Sequence, residues 1–345
     1  SILKMKKSLM TLGVLALFVL MAYGQEKKFA LYSVAFYNME NLFDTIHNEG
    51  KNDYEYLPNG TNQWNTMKYK AKLKNMSEIL SMLSTDKLPM GPAIIGVSEI
   101  ENYRVLEDIL KQPALADRGY QYVHYEGADQ RGVDCAFFYN PKLFELTNSK
   151  LVPYVYINDT VHKTRGFLIA SGNIAGEKMH FIVNHWPSRA ATSPARERAG
   201  EQVRAIKDSL LREDSAAKIV IMGDMNDDPM DKSMAVALGA KRKPADVGPT
   251  DLYNPWWDTL KKGYGTLMYK GKWNLFDQIV FTGNLLGTDR STLKFYKHEI
   301  FRRDFMFQKE GKYKGYPKRT QAGGVWLNGY SDHLPTIIYL IKEVK

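Results

Sequence analysis

The stretch Lys218-Ile219-Val220-Ile221-Met222-Gly223-Asp224-Met225-Asn226-Asp227 decides the fold. Its apolar, β-branched lead reads as a buried strand. A glycine and a cluster of acids and amides end it, and strand ends are where an α/β sheet places its chemistry. In extended backbone Asp224 and Asn226 share a face. An acid beside an amide suits phosphate chemistry, because the carboxylate orients a water or holds a metal while the amide donates to a phosphoryl oxygen. Gly223 would let the backbone approach a ligand closely. The segment reads equally as an Asx-rich turn, since Asp228 and Pro229 follow.

Three further polar segments border apolar runs. Ala93-Ile94-Ile95 leads into Gly96-Val97-Ser98-Glu99-Ile100-Glu101, and Met179-His180-Phe181-Ile182 into Val183-Asn184-His185-Trp186. Tyr330-Ser331-Asp332-His333-Leu334-Pro335 precedes Ile337-Ile338-Tyr339-Leu340. Taken alone, Glu99 reads as a capping or surface carboxylate, and Glu101 competes for any ligand role, on the same face if the strand continues. A single strand-end histidine is more often a structural hydrogen bonder. Two of them, His185 and His333, each beside a polar constellation, shift that balance. Oxygen-rich groups with histidines point to a hard divalent cation working on phosphate.

The 345 residues fit one large domain, and 44% apolar content with 25% charge is ordinary for a globular chain. Residues 1–24 read as a signal peptide: Lys4, Lys6 and Lys7, then a short apolar run over 9–21, then Ala22-Tyr23-Gly24 at a cleavage position. The run is short for a membrane span, so no stable insertion is expected after cleavage, and the protein is expected to be exported, periplasmic or secreted. Loss of those three lysines lowers the net charge from +9 to +6, a field suited to an anionic substrate. The single cysteine, Cys135, excludes an internal disulfide and reads as a buried strand residue.

Strands are expected over residues 31–37, 93–97, 120–125, 133–139, 151–157, 167–170, 179–184, 218–222, 278–282 and 336–341. Helices are expected over 69–83, 103–110 and 194–212, the last with Ser193 as N-cap and Pro194 at the first helical position. So many strands are too β-rich for a doubly wound sheet. Two sheets packed face to face with helices outside bury the pattern better, as one domain over 25–345.

Asn38-Met39-Glu40-Asn41, Ser98-Glu99, Asn184-His185, Gly223-Asp224-Met225-Asn226, Asp277-Gln278-Ile279 and Ser331-Asp332-His333 occur in an order that resembles the endonuclease/exonuclease/phosphatase superfamily, of which deoxyribonuclease I is one member. The resemblance spans residue 30 to the C-terminus. It implies a four-layer α/β sandwich of two mixed β-sheets with the site at one rim, and a Mg²⁺ cofactor, with Mn²⁺ or Ca²⁺ as alternatives. Glu99 looks like the principal metal ligand, with Glu40 and Asp332 as metal-side carboxylates. Asp224 looks like the group that orients or deprotonates water, and Asn226 and Asn38 like phosphate-side donors. His333 resembles the essential histidine, Asp277 the acid that orients it, and His185 a second histidine found in deoxyribonuclease-like members.

Arg131 in the turn before 133–139 is expected near the phosphate. Arg189, with Arg196 and Arg198 at a helix start, hints at anion binding unless neutralised locally. Residues 297–330 interleave aromatics and cations, which either stack bases and hold phosphates or pin a long loop to the core. The expected activity is hydrolysis of a phosphate ester, first a nucleic-acid phosphodiester, by a monomer. Alternatives are a sphingomyelinase-like or inositol-phosphate esterase, and a non-catalytic binding protein on the same scaffold.

Overall fold

The structure is a computed structural model that describes residues 27–344; the expected signal peptide lies outside the described residues. In chain order the strands are β1 Lys28–Leu42, β2 Ile94–Ile100, β3 Gln121–His124, β4 Asp134–Tyr139, β5 Phe144–Val152, β6 Phe167–Ile174, β7 Glu177–His185, β8 Lys218–Asp224, β9 Ala240–Lys241, β10 Leu252–Tyr253, β11 Leu267–Tyr269, β12 Lys272–Asn274, β13 Asp277–Thr282, β14 Lys294–Ile300, β15 Gln321–Ala322, β16 Val325–Trp326 and β17 Thr336–Val344. The helices are α1 Thr66–Met82, α2 Tyr103–Leu110, α3 Ser193–Glu213 and the short α4 Trp257–Lys261.

One sheet runs β14-β17-β1-β2-β4-β3 and the other β5-β6-β7-β8-β13-β10-β9. Both are mixed, because β1 pairs β2 in parallel and β17 antiparallel, while β7 pairs β8 in parallel and β13 pairs β8 antiparallel. Alternation along each central strand builds three apolar layers. Val34, Phe36, Ile94, Ile338 and Leu340 of the first sheet meet Phe181, Val183, Val220, Met222, Ile279 and Phe281 of the second. The intervening residues Ala35, Tyr37, Ile95, Val97 and Tyr339 face outward against Leu73, Met76, Leu80 of α1 and Val105, Ile109 of α2. On the far side Ile182, Ile219, Ile221 and Val280 pack against Ala199, Val203, Leu210 and Leu211 of α3. The result is helix, sheet, sheet, helix: a four-layer α/β sandwich.

Local chemistry fixes the helix starts. Asn65 and Asn102 cap α1 and α2, their side-chain oxygens accepting from the backbone N–H of Lys68 and Val105. In α3 the N-cap is Thr192 rather than Ser193, and Ser193 is the first helical residue, its hydroxyl turned to Glu197 Oε1. The strand expected over 151–157 is instead the end of β5, which begins at Phe144. Pro153 has no N–H for the ladder, so pairing stops at Val152. Strand β14 carries Lys294, Lys297, His298 and Glu299 among few apolar residues, so no apolar alternation marks it as a strand.

Candidate active site

The site is the rim of the inter-sheet core. On β1, Val34 and Phe36 point between the sheets, and the next residue of that alternation is Asn38. The same count leads from Phe181 and Val183 to His185, from Val220 and Met222 to Asp224, and back from Phe281 and Ile279 to Asp277. Register places them side by side: His185 pairs with Asp224, and Asp224 with Asp277. The residues before β17 bring Ser331, Asp332 and His333 to the same rim, and the Ser331 hydroxyl donates to the Asn38 carbonyl at 2.7 Å.

Glu99 reaches the rim by a different route. Gly96 faces the inter-sheet core, where a Cβ would meet Met222 and Val183, so simple alternation would turn Glu99 away. A bulge between Val97 and Ile100, with Glu99 at φ +58°, turns it back. Glu40, Asn41 and Asn226 are also left-handed, at φ +43°, +52° and +51°. Strained non-glycine backbone is therefore concentrated at this rim. Glu101 leaves it: Glu101 Oε2 accepts from the Asp44 N–H at 2.8 Å, behind the strand.

Asn38 stands between the acids, its Nδ2 donating to Glu99 Oε1 at 3.2 Å and to Asp224 Oδ2 at 3.0 Å. The other Glu99 oxygen accepts from Asn41 N–H at 2.9 Å. Asp224 Oδ1 accepts from the N–H of Asn226, and the Asn226 amide donates to the Trp186 carbonyl at 2.9 Å. His333 Nδ1 is 2.7 Å from Asp277 Oδ2, which also accepts from the Thr266 hydroxyl. His333 Nε2 faces Asp224 at 3.8 Å and Asp332 at 3.9 Å. His185 Nε2 lies 3.7 Å from Glu99 and 3.6 Å from Asp224, and its buried Nδ1 has no hydrogen-bond partner.

Charge is divided unevenly among these groups. Burial works against a proton on His333, but Asp277, Asp224 and Asp332 outweigh it and hold that imidazole well above its ordinary pKa. Burial, followed by Arg165, Arg131 and His333, holds His185 well below. Their surroundings therefore push the two rings in opposite directions. Asp224 is pushed up to about 7 by burial, with His333 opposing and Asp277 and Glu99 adding to the rise. This crowd of carboxylates fits a divalent cation. Glu99, His185 and Asp224 each offer an atom within 4.8 Å of the others, at spacings too long for hydrogen bonds between imidazole and carboxylate. A mostly oxygen donor set suits Mg²⁺, Mn²⁺ or Ca²⁺.

The remaining expected residues are placed less uniformly. Glu40 has both oxygens engaged, by Arg319 Nε at 2.7 Å and Thr320 N–H at 2.9 Å, and is pushed up to about 7 by burial and then Asp332. Arg319 also reaches Asp332 at 3.2 Å. Arg131 stands at the rim and donates to Asn41 Oδ1 at 2.6 Å. Arg189 does not join the cluster. Asp227, Asp228 and Asp231 surround its guanidinium at 3.4, 3.7 and 3.0 Å, the local neutralisation that removes its pull on an anion. Gly223 serves strand packing rather than ligand approach, since a Cβ there would lie 2.3 Å from the Asn184 carbonyl oxygen. Sequence reading missed Thr266, which carries no signal. It also missed Lys72, buried with its Nζ on Thr320 and the Tyr330 carbonyl. A lysine among Tyr69, Leu73 and Met76, on the apolar stripe of α1, was the available sign.

The family model described as Endonuclease/Exonuclease/phosphatase family matches residues 33–342. No curated protein sequence matches the chain. Among solved structures, an endonuclease/exonuclease/phosphatase family protein from Bacteroides thetaiotaomicron superposes with a TM-score of 0.57 at 14% identity, covering 92% of this chain and 98% of that one. A mannosyl-6-phosphatase from the same organism gives 0.55 at 14% identity, covering 90% and 99%. D. rerio TDP2 complexed with a single-strand DNA product gives 0.52 at 15% identity, covering 90% and 99%. At such identities the likeness is one of fold.

Proposed function

We propose a divalent-cation-dependent phosphoester hydrolase, from the premise that this chain belongs to the Endonuclease/Exonuclease/phosphatase family. One observation carries the reading: Glu99, His185, Asp224, Asp277 and His333, from five separate chain segments, converge on one rim with complementary charge states. Glu99 is the metal-side carboxylate, with Asp224 and His185 bordering the same cation position and Asp332, engaged by Arg319, further out, and Mg²⁺ is the first cation to test. When bound, the cation offsets charge on the phosphoryl oxygens. Glu40, engaged by Arg319 and Thr320, is a positioning carboxylate rather than a direct ligand.

The chain's own groups supply the rest. Asp224, with its pKa near neutrality, orients the attacking water and takes its proton. His333, held cationic and oriented by Asp277, faces the charge that develops on the phosphoryl group. His185, neutral and buried, offers a hydrogen bond to a second phosphoryl oxygen. Asn38 spaces Glu99 from Asp224, Asn226 keeps Asp224 aimed, and Arg131 lies on the approach. Within this class the sequence favours a nucleic-acid diester. A second reading, a phosphomonoester with an uncharged leaving group, is favoured by the groove described below.

The test is purified protein assayed on p-nitrophenyl phosphate, bis-p-nitrophenyl phosphate, plasmid DNA, RNA and sphingomyelin, each with Mg²⁺ and with chelator. Turnover is expected only with the cation, and Glu99→Ala and His333→Ala are each expected to abolish it. Persistent turnover in either variant refutes the assigned roles. Export and a monomeric state belong to the same proposal. Terminal sequencing of protein recovered outside the cytoplasm should begin at Gln25, and sedimentation should give a single chain.

A further inference from the structure

Beside the site lies a groove of about 1020 Å³, opening off the edge where Asn41, Arg319 and Asp332 stand. Its walls come from residues 55–64, the β11–β12 turn, residues 308–317 and the β15–β16 hairpin. Its charges cancel. Arg319 is engaged by Glu40 and Asp332. Lys270 and Lys312 lie over the rings of Tyr269 and Tyr313, 5.3 and 5.5 Å from the centroids, and are balanced by Glu55 and Glu310. Polynucleotide affinity comes chiefly from cations that neutralise successive phosphates. The cations lining this groove, Lys270, Lys312 and Arg319, form no such row, and Lys309 and Lys314 face the adjoining pocket with Arg302 and Arg303.

What the groove offers instead is flat rings and planar polar groups. Tyr269 and Tyr313 are 63% and 50% exposed. Tyr316 stands edge-on to Tyr313 at 5.3 Å, and its hydroxyl accepts from the Gly271 N–H at 2.6 Å, which ties the two walls together. Asn62 and Gln321 add amides that both donate and accept. A pyranose matches this combination: its C–H face lies on an aromatic ring, and its hydroxyls pair with amides and carboxylates. We propose that the groove holds the sugar of a phosphorylated carbohydrate and that the enzyme releases that sugar from its phosphomonoester. The inference rests on the phosphoester-hydrolase reading above. Water adds to phosphorus, the bond from phosphorus to the sugar oxygen breaks, and the proton given up by water ends on that oxygen. The products are inorganic phosphate and the free sugar.

The experiment compares the full chain with Tyr269→Ala and Tyr313→Ala, using Mg²⁺ and p-nitrophenyl phosphate, glucose 6-phosphate, mannose 6-phosphate and single-stranded DNA as separate substrates. The sugar phosphates should be turned over. Both variants should raise KM for them by roughly tenfold, the loss of one stacking contact, while turnover of p-nitrophenyl phosphate stays unchanged. Turnover of p-nitrophenyl phosphate with no turnover of either sugar phosphate, or with KM unmoved in both variants, overturns the groove assignment and leaves the hydrolase reading standing. So does cleavage of DNA whose KM rises steeply between about 50 and about 200 mM salt. If none of these substrates is turned over with Mg²⁺, the hydrolase reading fails. Fluorescence titration with the free disaccharides maltose and mannobiose then decides the groove: binding that Tyr269→Ala abolishes sustains it, and no binding overturns it.

Discussion

Two imidazoles, each within 4 Å of the same carboxylate, are shifted in opposite directions because their other neighbours differ. His333 has Asp277 at its Nδ1, and the negative charge of that acid outweighs burial. His185 has an unpartnered Nδ1 and cations nearby, so burial decides. On the proposed reading Asp277 is a positioning residue. Asp277→Asn should leave KM nearly unchanged and lower kcat by roughly 10²- to 10⁴-fold, the range lost with a general acid–base contribution. Steady-state kinetics checks this, with thermal melting to show that the variant folds. An unchanged kcat would reduce Asp277 to a packing role. His333 and Asp224 were legible as candidate site residues because each borders an apolar run, and Asp277 only through the resemblance in segment order. Thr266 was not, because a hydroxyl eleven residues from its acceptor leaves no pattern.

At the scale of elements, the site depends on how closely β7 and β8 approach. Gly223 sits where any side chain would strike the Asn184 backbone, whereas Gly96 faces the flexible Met222 side chain. Backbone cannot yield and a methionine can. Gly223→Ala should cost more than Gly96→Ala, with the former near or above the upper end of the roughly 1–3 kcal/mol usual for overpacking. Urea unfolding of both variants checks the order. Equal losses would mean that β7 shifts to accommodate the methyl group. Left-handed backbone at Glu40, Asn41, Glu99 and Asn226 was illegible in the sequence. None of these is glycine, and hydrogen bonds from distant or neighbouring side chains, such as Asn41 N–H to Glu99 and Asn226 N–H to Asp224, hold them there.

For the whole molecule, stability comes from the layer between the sheets, with no disulfide to assist. Phe181 lies at its centre, 5.8 Å from the Phe137 ring and 5.6 Å from that of Phe144. Phe181→Ala should cost about 3–5 kcal/mol, read as a lower denaturation midpoint. A loss under about 1 kcal/mol would mean that the layers collapse around the gap. On the acid side the buried histidines subtract stability, while the raised carboxylates of Glu40 and Asp224 add it. Burial, then Lys262, holds His298 below its ordinary pKa. Above about pH 6.5 it is neutral folded or unfolded and contributes no slope. Below that, the unfolded chain binds a proton the folded one refuses, so stability declines until the folded pKa is passed. His180 and His185 act in the same direction. Relative to the parent chain, His298→Gln should gain stability between about pH 7.5 and about pH 5.5, read as the difference between their urea midpoints at the two pH values. A difference that does not change with pH would mean that His298 contributes no slope in this window.

By itself the sequence determined the strands, the polar groups at their ends and the two-sheet packing, because burial imposes a period on apolar residues and chemistry interrupts it. The match in segment order did the same for the family. Only the tertiary structure decided that Glu99 rather than Glu101 reaches the rim, that Arg189 is neutralised by three acids, and that Glu40 is held by Arg319. Those outcomes depend on a bulge and on charges brought together from distant segments. Neither leaves a local periodicity, since the forces that set them act between strands rather than along them.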